Sequence, residues 1–186
     1  MVDCNACNYS PKWYQADKIA KKKSCELTAQ LLDKSFLTFV IHLCANYSGR
    51  MDNREGINKA KELLLNKTNF FSEDELDNVE IRWCKIKSKF GSYEFGASGM
   101  VPEKNKILLD ISVKDFSTEE LAILIAHEMK HIKQYNDWGT GKFRCEYMSE
   151  LASGNGFGMD NDVEKEAYNF QDEVAKLIYN SLHNEL

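Results

Sequence analysis

Two histidines and a glutamate stand close together in the chain, in the order His127-Glu128-x-x-His131. A four-residue step is about one helical turn, so on a helix both imidazoles lie on the same side. At that spacing two imidazole nitrogens can bind one metal ion at about 2.0–2.1 Å. The intervening glutamate is then placed to accept a proton from a water molecule on that metal. The pattern therefore predicts a metal centre that activates water for hydrolysis.

The helix that must carry these residues is well defined in the sequence. Ser117 stands three residues before Glu120, which is the spacing of a capping box, and the helical pattern continues to about residue 136. Glu128 falls inside the apolar stripe of this helix, where a carboxylate is costly unless it has a partner. The stripe consists of Leu121, Ile125, Ile132 and Tyr135. A glutamate on a core face, with a histidine on each side, favours a functional site over a chance motif.

A catalytic zinc site needs a third protein ligand and an open position for water. The last helix offers Glu164 and Glu166, which flank its apolar stripe on opposite sides, so periodicity does not choose between them. Asp137 is another candidate, because it lies ten residues after His127. That arrangement needs a sharp turn that glycine normally makes, and Gln134 stands there instead. The residues alone leave all three candidates open.

The remaining pattern is typical of an α+β protein in a single domain, residues 1–186. Apolar residues recur at helical spacing from residue 11 to residue 65, and a final helix is expected after a cap at Asn161 or Asp162. A glycine-rich loop is expected between the motif helix and this last helix. Strands are expected over residues 79–87, 93–95 and 106–112. The predicted order is a helical N-terminal part, a small mixed or antiparallel sheet, and two helices.

Charge and hydropathy indicate which partners and which cellular environment to expect for the chain. A formal net charge of -5 gives no general attraction to nucleic acid or to anionic membranes. No stretch approaches the roughly 18 apolar residues that span a bilayer, and the first thirty positions lack the apolar centre of a secretory signal. We therefore expect cytoplasmic synthesis, with non-classical secretion as the alternative. In that setting the six cysteines are expected to be free thiols, although Cys4-x-x-Cys7 could form half of a structural zinc site.

The sequence around the motif resembles the compact gluzincin metallopeptidases. In particular it resembles the HExxH family associated with extracellular contractile injection systems, whose core reads roughly LxAHExxHxxQ. The matching positions are Leu124, Ala126, Gln134 and the later Glu164-x-x-Ala167. The similarity covers roughly residues 92–175, including the glycine-containing segment 96–100. The resemblance does not extend to residues 1–90.

This resemblance implies a minimal zincin-like fold, with residues 1–68 as a helical N-terminal region and residues 69–186 as the metallopeptidase core. It implies hydrolysis of peptide bonds in a peptide or protein substrate. In gluzincins the edge strand before the active helix pairs with extended peptide, which here would be residues 106–112.

By the same resemblance His127, His131 and Glu164 bind one zinc ion, and Glu128 is the general base. One position departs from the family pattern. Gluzincins commonly have Asp or Asn four residues after the ligating glutamate, where this chain has Tyr168. The carboxylate that usually orients a ligand histidine is therefore missing or supplied from elsewhere.

Three further residues are candidates either to support a metal ligand or to stabilise the developing oxyanion: Tyr168, Tyr147 and His183. The departure at Tyr168 also keeps two other functions open. One is a zinc-stabilised binding or structural module without turnover. The other is a toxin-like protease effector that acts inside another cell.

Overall fold

The computed structural model describes residues 54–86, 88–90, 93–95, 97–152 and 159–183. Its helices in these ranges are α1 (Arg54–Lys67), α2 (Glu73–Asp77), α3 (Thr118–Trp138), α4 (Thr140–Ala152) and α5 (Asp162–His183). Its strands are β1 (Glu80–Cys84), β2 (Ser88–Phe90), β3 (Tyr93–Phe95), β4 (Gly99–Glu103) and β5 (Lys106–Asp110). The α+β prediction is confirmed. The helices expected before residue 54 and the Cys4-x-x-Cys7 pair lie outside the described residues.

The main sheet has three strands in the order β1-β5-β4, and β2 and β3 form a separate antiparallel pair. β1 runs parallel to β5, whereas β4 runs antiparallel to it, with Gly99 opposite Leu109. The expectation that residues 106–112 form a free edge is wrong. Both sides of β5 are hydrogen-bonded to neighbouring strands, and the chain turns into a 3-10 helix at Ile111–Val113. In the described part of the chain, β1 and β4 are the two edge strands of this sheet.

α3 is the central helix of the fold. Its apolar side packs in one core with α1, α5 and the sheet, and full burial of each large aliphatic side chain stabilises the fold by about 1.5–3 kcal/mol. The α3 residues of this core are Leu121, Ala122, Ile125, Ala126, Met129 and Ile132. α1 contributes Ile57, Ala60 and Leu64 to the same core. None of the helices in the described ranges is long and apolar enough to cross a membrane.

α3 begins where the sequence pattern predicts, but the segment after its end is a helix and not the predicted loop. The predicted capping box is present, because Ser117 accepts from the Glu120 amide and Glu120 accepts from the Ser117 amide. The helix stops at Gly139, whose φ of 77° is a conformation that favours glycine. The chain then enters α4, where only a loop was expected. Phe143, packed against Tyr135, anchors this short helix.

Both cysteines in the described ranges, Cys84 at the end of β1 and Cys145 on α4, are disulfide-bonded. The expectation of free thiols is therefore wrong for these two residues. Each is almost completely buried, so the bonded sulfur atoms lie inside the fold. Bonds of this kind persist in oxidising surroundings and typically stabilise a protein by about 2–4 kcal/mol each.

Asp110 joins the end of the sheet to the segment that leads into α3. Its buried carboxylate accepts hydrogen bonds from the Ile86 amide at 2.6 Å and from the Ser112 amide at 2.8 Å. Hydrogen bonds to an ionised acceptor are about twice as strong as neutral ones. Asp110 therefore holds the chain after β1 against the turn after β5.

Replacing Asp110 by alanine should lower the free energy of unfolding by about 2–4 kcal/mol, because one buried and one partly buried amide lose a charged acceptor. The matched control is Asp115→Ala, since Asp115 is exposed and lies 3.9 Å from Lys114 in a surface ion pair. We expect a change below about 0.5 kcal/mol there. Urea denaturation of both variants measures the difference. Equal stability of the two variants would contradict this account of Asp110.

Candidate metal centre

The two motif histidines lie one turn apart on α3 and are both buried. Their Nε2 atoms approach the same carboxylate oxygen. His127 Nε2 lies 3.2 Å and His131 Nε2 lies 3.5 Å from Glu164 Oε2. One ligand atom from each of the three residues lies within 4.8 Å of the other two. The structure thus brings together the three predicted ligands from two helices.

These distances fit a metal ion. Two ligands bound at about 2.0–2.1 Å in a tetrahedral arrangement lie about 3.4 Å apart. The separations from Glu164 to the two imidazole nitrogens, 3.2 and 3.5 Å, fall on either side of that value. Two imidazoles and a carboxylate are ordinary ligands of transition metals. His127, His131 and Glu164 could therefore hold a metal ion without rearrangement of the two helices.

The first turn of α5 places Glu164. Asn161, which is fully buried, caps this helix, because its Oδ1 accepts from the Val163 amide at 3.0 Å and from the Glu164 amide at 3.3 Å. Of the two capping candidates in the sequence, Asn161 is therefore the one that caps, and Asp162 is exposed. The cap fixes the backbone of Glu164 directly, so the start of the helix and the position of the ligand are set together.

The second oxygen of Glu164 is held by Tyr147 on α4, whose hydroxyl donates to Oε1 at 2.6 Å. Burial, together with the neighbouring charge of Glu164, raises the pKa of Tyr147 well above its usual value, so the phenol remains a donor. Burial by itself would raise the pKa of Glu164. The neighbouring His127 and His131 rings and the hydrogen bond from Tyr147 outweigh this effect and hold the pKa of Glu164 below its usual range, so the carboxylate is ionised. Tyr147 therefore supports the third ligand.

The two histidine rings are held in different ways. His131 Nδ1 lies 2.8 Å from Gln134 Oε1, three residues further along α3. His127 Nδ1 is buried and has no hydrogen-bond partner among the described residues. The Tyr168 ring packs edge-on against the His127 ring, with 4.7 Å between the two ring centroids. An aromatic ring thus occupies the neighbourhood of His127 where the resemblance leads one to expect a carboxylate.

Glu128 lies beside the ligands and is 3 % exposed, with no hydrogen-bond partner for its Oε2 among the described residues. Burial raises its pKa to about 8; His127 opposes the rise and Glu164 adds to it. The carboxyl group packs directly over Gly99 on β4, where a Cβ atom would lie 2.6 Å from Glu128 Oε1. Gly99 therefore provides the space that this side chain occupies. A sequence pattern alone does not indicate that role, because the contact joins a strand to a helix.

The other candidates lie elsewhere. Asp137 is exposed, and because α3 continues to Trp138 it lies about 15 Å along the helix from His127. Glu166 is exposed and pairs with Lys130 at 3.4 Å. His183 is exposed near the end of α5, about 28 Å along that helix from the ligand glutamate. None of the three belongs to the group of possible ligand atoms that lie within 4.8 Å of one another.

Comparison of the chain with models of known protein families, with curated proteins and with solved structures found no match. The gluzincin relation therefore stays a prediction from the motif residues. The site geometry stands independently of it.

Gly99→Ala should destabilise the protein by about 1–3 kcal/mol, because the new methyl group overlaps the Glu128 carboxyl group. In a Glu128→Ala background the same change should cost less than about 0.5 kcal/mol, since the overlapping group is gone. Denaturation of the wild type, both single variants and the double variant measures this coupling. If the effects of the two substitutions are additive, the contact with Glu128 is not what excludes a larger side chain at position 99.

The raised pKa of Glu128 predicts a pH-dependent cost in the metal-free protein. Folding keeps a proton that the unfolded chain loses above about pH 4.3, so this group lowers stability as the pH rises from there to about 8. The side chain in Glu128→Gln is neutral at every pH, so it does not lower the stability as the pH rises. Its stability advantage should therefore grow over this range, by an amount on the order of several kcal/mol. Denaturation of both proteins across the range tests this, and a constant difference would contradict it.

Proposed function

We propose that the protein is a zinc-dependent metallopeptidase that cleaves peptide or protein substrates. The observation that carries the proposal is the convergence of His127 Nε2, His131 Nε2 and Glu164 Oε2 beside the buried carboxyl group of Glu128, whose Oε2 has no hydrogen-bond partner in the part of the chain that the structure describes. Two histidines and one glutamate are the protein ligands of catalytic zinc in several peptidases, and they leave a position for water. A purely structural zinc site usually has four protein ligands instead.

Zinc bound at these three residues would polarise a scissile carbonyl and lower the pKa of a water molecule to about 7. Glu128 takes the proton from the attacking water oxygen and then donates it to the nitrogen of the leaving amine as the C–N bond breaks. Without a cation nearby its pKa is about 8. A positive charge beside it favours the carboxylate and so lowers this value, which makes Glu128 a base at neutral pH. Tyr147 keeps Glu164 oriented throughout.

The substrate would lie along β4, in extended form, and would add a strand to the sheet. Three features support this position. In the described chain β4 is an edge strand, Gly99 is in contact with Glu128, and Pro102 lacks the amide hydrogen of an inner strand. Arg144 donates to the Pro102 carbonyl at 3.1 Å and so covers that end of the strand. Residues 99–101 are then the part of the edge nearest to the general base.

A zinc-stabilised binding module without turnover is the second candidate function. The observation that favours it is His127 Nδ1, which is buried without a hydrogen-bond partner among the described residues. A hydrogen-bond acceptor at the second ring nitrogen orients a ligand histidine and raises its basicity. Removal of such an acceptor typically costs 10–100-fold in metal affinity or activity. A centre with one unsupported histidine is less strictly arranged for catalysis.

We expect purified protein to contain about one zinc ion per chain, which mass spectrometry measures. Glu164→Ala should lose most of the metal because the third ligand is gone. Two controls should retain it: Glu173→Ala, an exposed glutamate on the same helix, and Asp137→Ala, the competing ligand candidate. Retention of zinc in Glu164→Ala would contradict the ligand assignment.

Cleavage of a mixed peptide library distinguishes the two functions. Wild type should cut peptides, and Glu128→Gln should bind zinc equally well but lose at least about 10²-fold in rate, because the general base is absent. Zinc bound by wild type without any cleavage would favour the binding module.

A further inference from the structure

We propose that Gln134 is a positioning residue of the metal centre, which fixes the proton on the His131 ring and ties α3 to the first turn of α5. The proposal rests on the proposed function only in taking His131 and Glu164 as metal ligands. Neither the motif nor its spacing indicates this role for Gln134.

Every polar atom of the Gln134 side chain is used, and the residue is 2 % exposed. Its Oε1 lies 2.8 Å from His131 Nδ1. Its Nε2 donates to the Val163 carbonyl and to Glu166 Oε2, each at 3.1 Å. An amide group has two N–H donors, so both are satisfied. One side chain thus joins the second motif histidine to two positions on α5.

The partners of the amide nitrogen decide which way the group faces. The Val163 carbonyl and the Glu166 carboxylate accept hydrogen bonds and cannot donate, so the NH₂ end must point toward α5. Oε1 then faces His131, and only a protonated Nδ1 can donate to it. A neutral imidazole carries one N–H, so Nε2 is left with its lone pair. That nitrogen is the one that faces Glu164.

The same side chain fixes the distance between the two ligand-bearing helices. Val163 directly precedes Glu164, and both belong to the turn that Asn161 caps. A displacement of this turn away from α3 would stretch the bond from Gln134 to the Val163 carbonyl. Loss of the Gln134 amide should therefore affect two ligands together: the ring of His131 and the placement of Glu164.

Nitrogen-15 NMR of the His131 ring tests the first half of the proposal in zinc-free protein, at a pH where the ring is neutral. We expect wild type to carry the proton on Nδ1. Gln134→Met keeps the length of the side chain but has no such acceptor, so its His131 should shift toward the Nε2–H form. Gln134→Glu keeps an acceptor and should retain the Nδ1–H form, although it cannot donate to the Val163 carbonyl. A wild-type ring protonated at Nε2 would overturn the proposal even if neither variant folds.

Zinc titration tests the second half. Gln134→Met should bind zinc about 10–100-fold more weakly than wild type, as expected when a group that orients ligands is removed. Gln134→Glu should also bind more weakly, despite its intact His131 bond, because its link to α5 is lost. The matched control is Gln171→Met, at a half-buried position on α5, which should leave affinity and ring signals unchanged. If Gln134 only fills space, Gln134→Met will match this control in both readouts, which overturns the proposal.

The two proposals fail in different ways. Absence of peptide cleavage by zinc-loaded wild type would refute the metallopeptidase function and leave the ring signals of His131 unaffected. Unchanged ring signals and zinc affinity in Gln134→Met would refute the role of Gln134, whatever the peptides show.

Discussion

The structure depends on the burial of one ionised carboxylate, that of Glu164, at the junction of α3 and α5. Removing such a charge from water costs several kcal/mol unless it is paired and hydrogen-bonded. The surrounding elements supply those partners. α3 presents His127 to one oxygen, and α4 presents the Tyr147 hydroxyl to the other. The packing of three helices is thus tied to the arrangement of a single side chain.

Glu128 is the exception in this network, and it is informative for that reason. Native proteins seldom leave a buried carboxylate oxygen without a partner, because desolvation makes it expensive. Here Glu128 packs over Gly99, beside two histidines and a second carboxylate, with its Oε2 unsatisfied among the described residues. A departure of this kind from the rules of core packing is expected at a functional site. It is the strongest physical argument for the proposed catalytic function.

Local patterns predicted the parts of the site that lie on one helix. Ser117 and Glu120 marked the start of α3, and the four-residue step placed both histidines. The residues alone left the third ligand open, because Glu164 meets the histidines only after α5 packs on α3. The sequence makes Tyr147 a candidate to support a metal ligand or to stabilise the oxyanion, but its hydrogen bond to Glu164 depends on a helix where a loop is expected.

Contacts between distant segments explain the other errors. The position of β5 inside the sheet depends on pairing with both β1 and β4, which no single-strand pattern reveals. The state of Cys84 and Cys145 was inferred from a missing secretory signal, and the structure has both disulfide-bonded. Gln134 was recognised only as a motif position. Two of its three hydrogen bonds reach Val163 and Glu166, on a helix that lies far along the chain.

The most direct test of the central claim is a crystal structure of zinc-loaded protein with anomalous data collected at the zinc absorption edge. The account predicts one strong peak about 2.0–2.1 Å from His127 Nε2, His131 Nε2 and Glu164 Oε2, with a further non-protein ligand near Glu128. A peak at another set of residues, or no peak between α3 and α5, would contradict it.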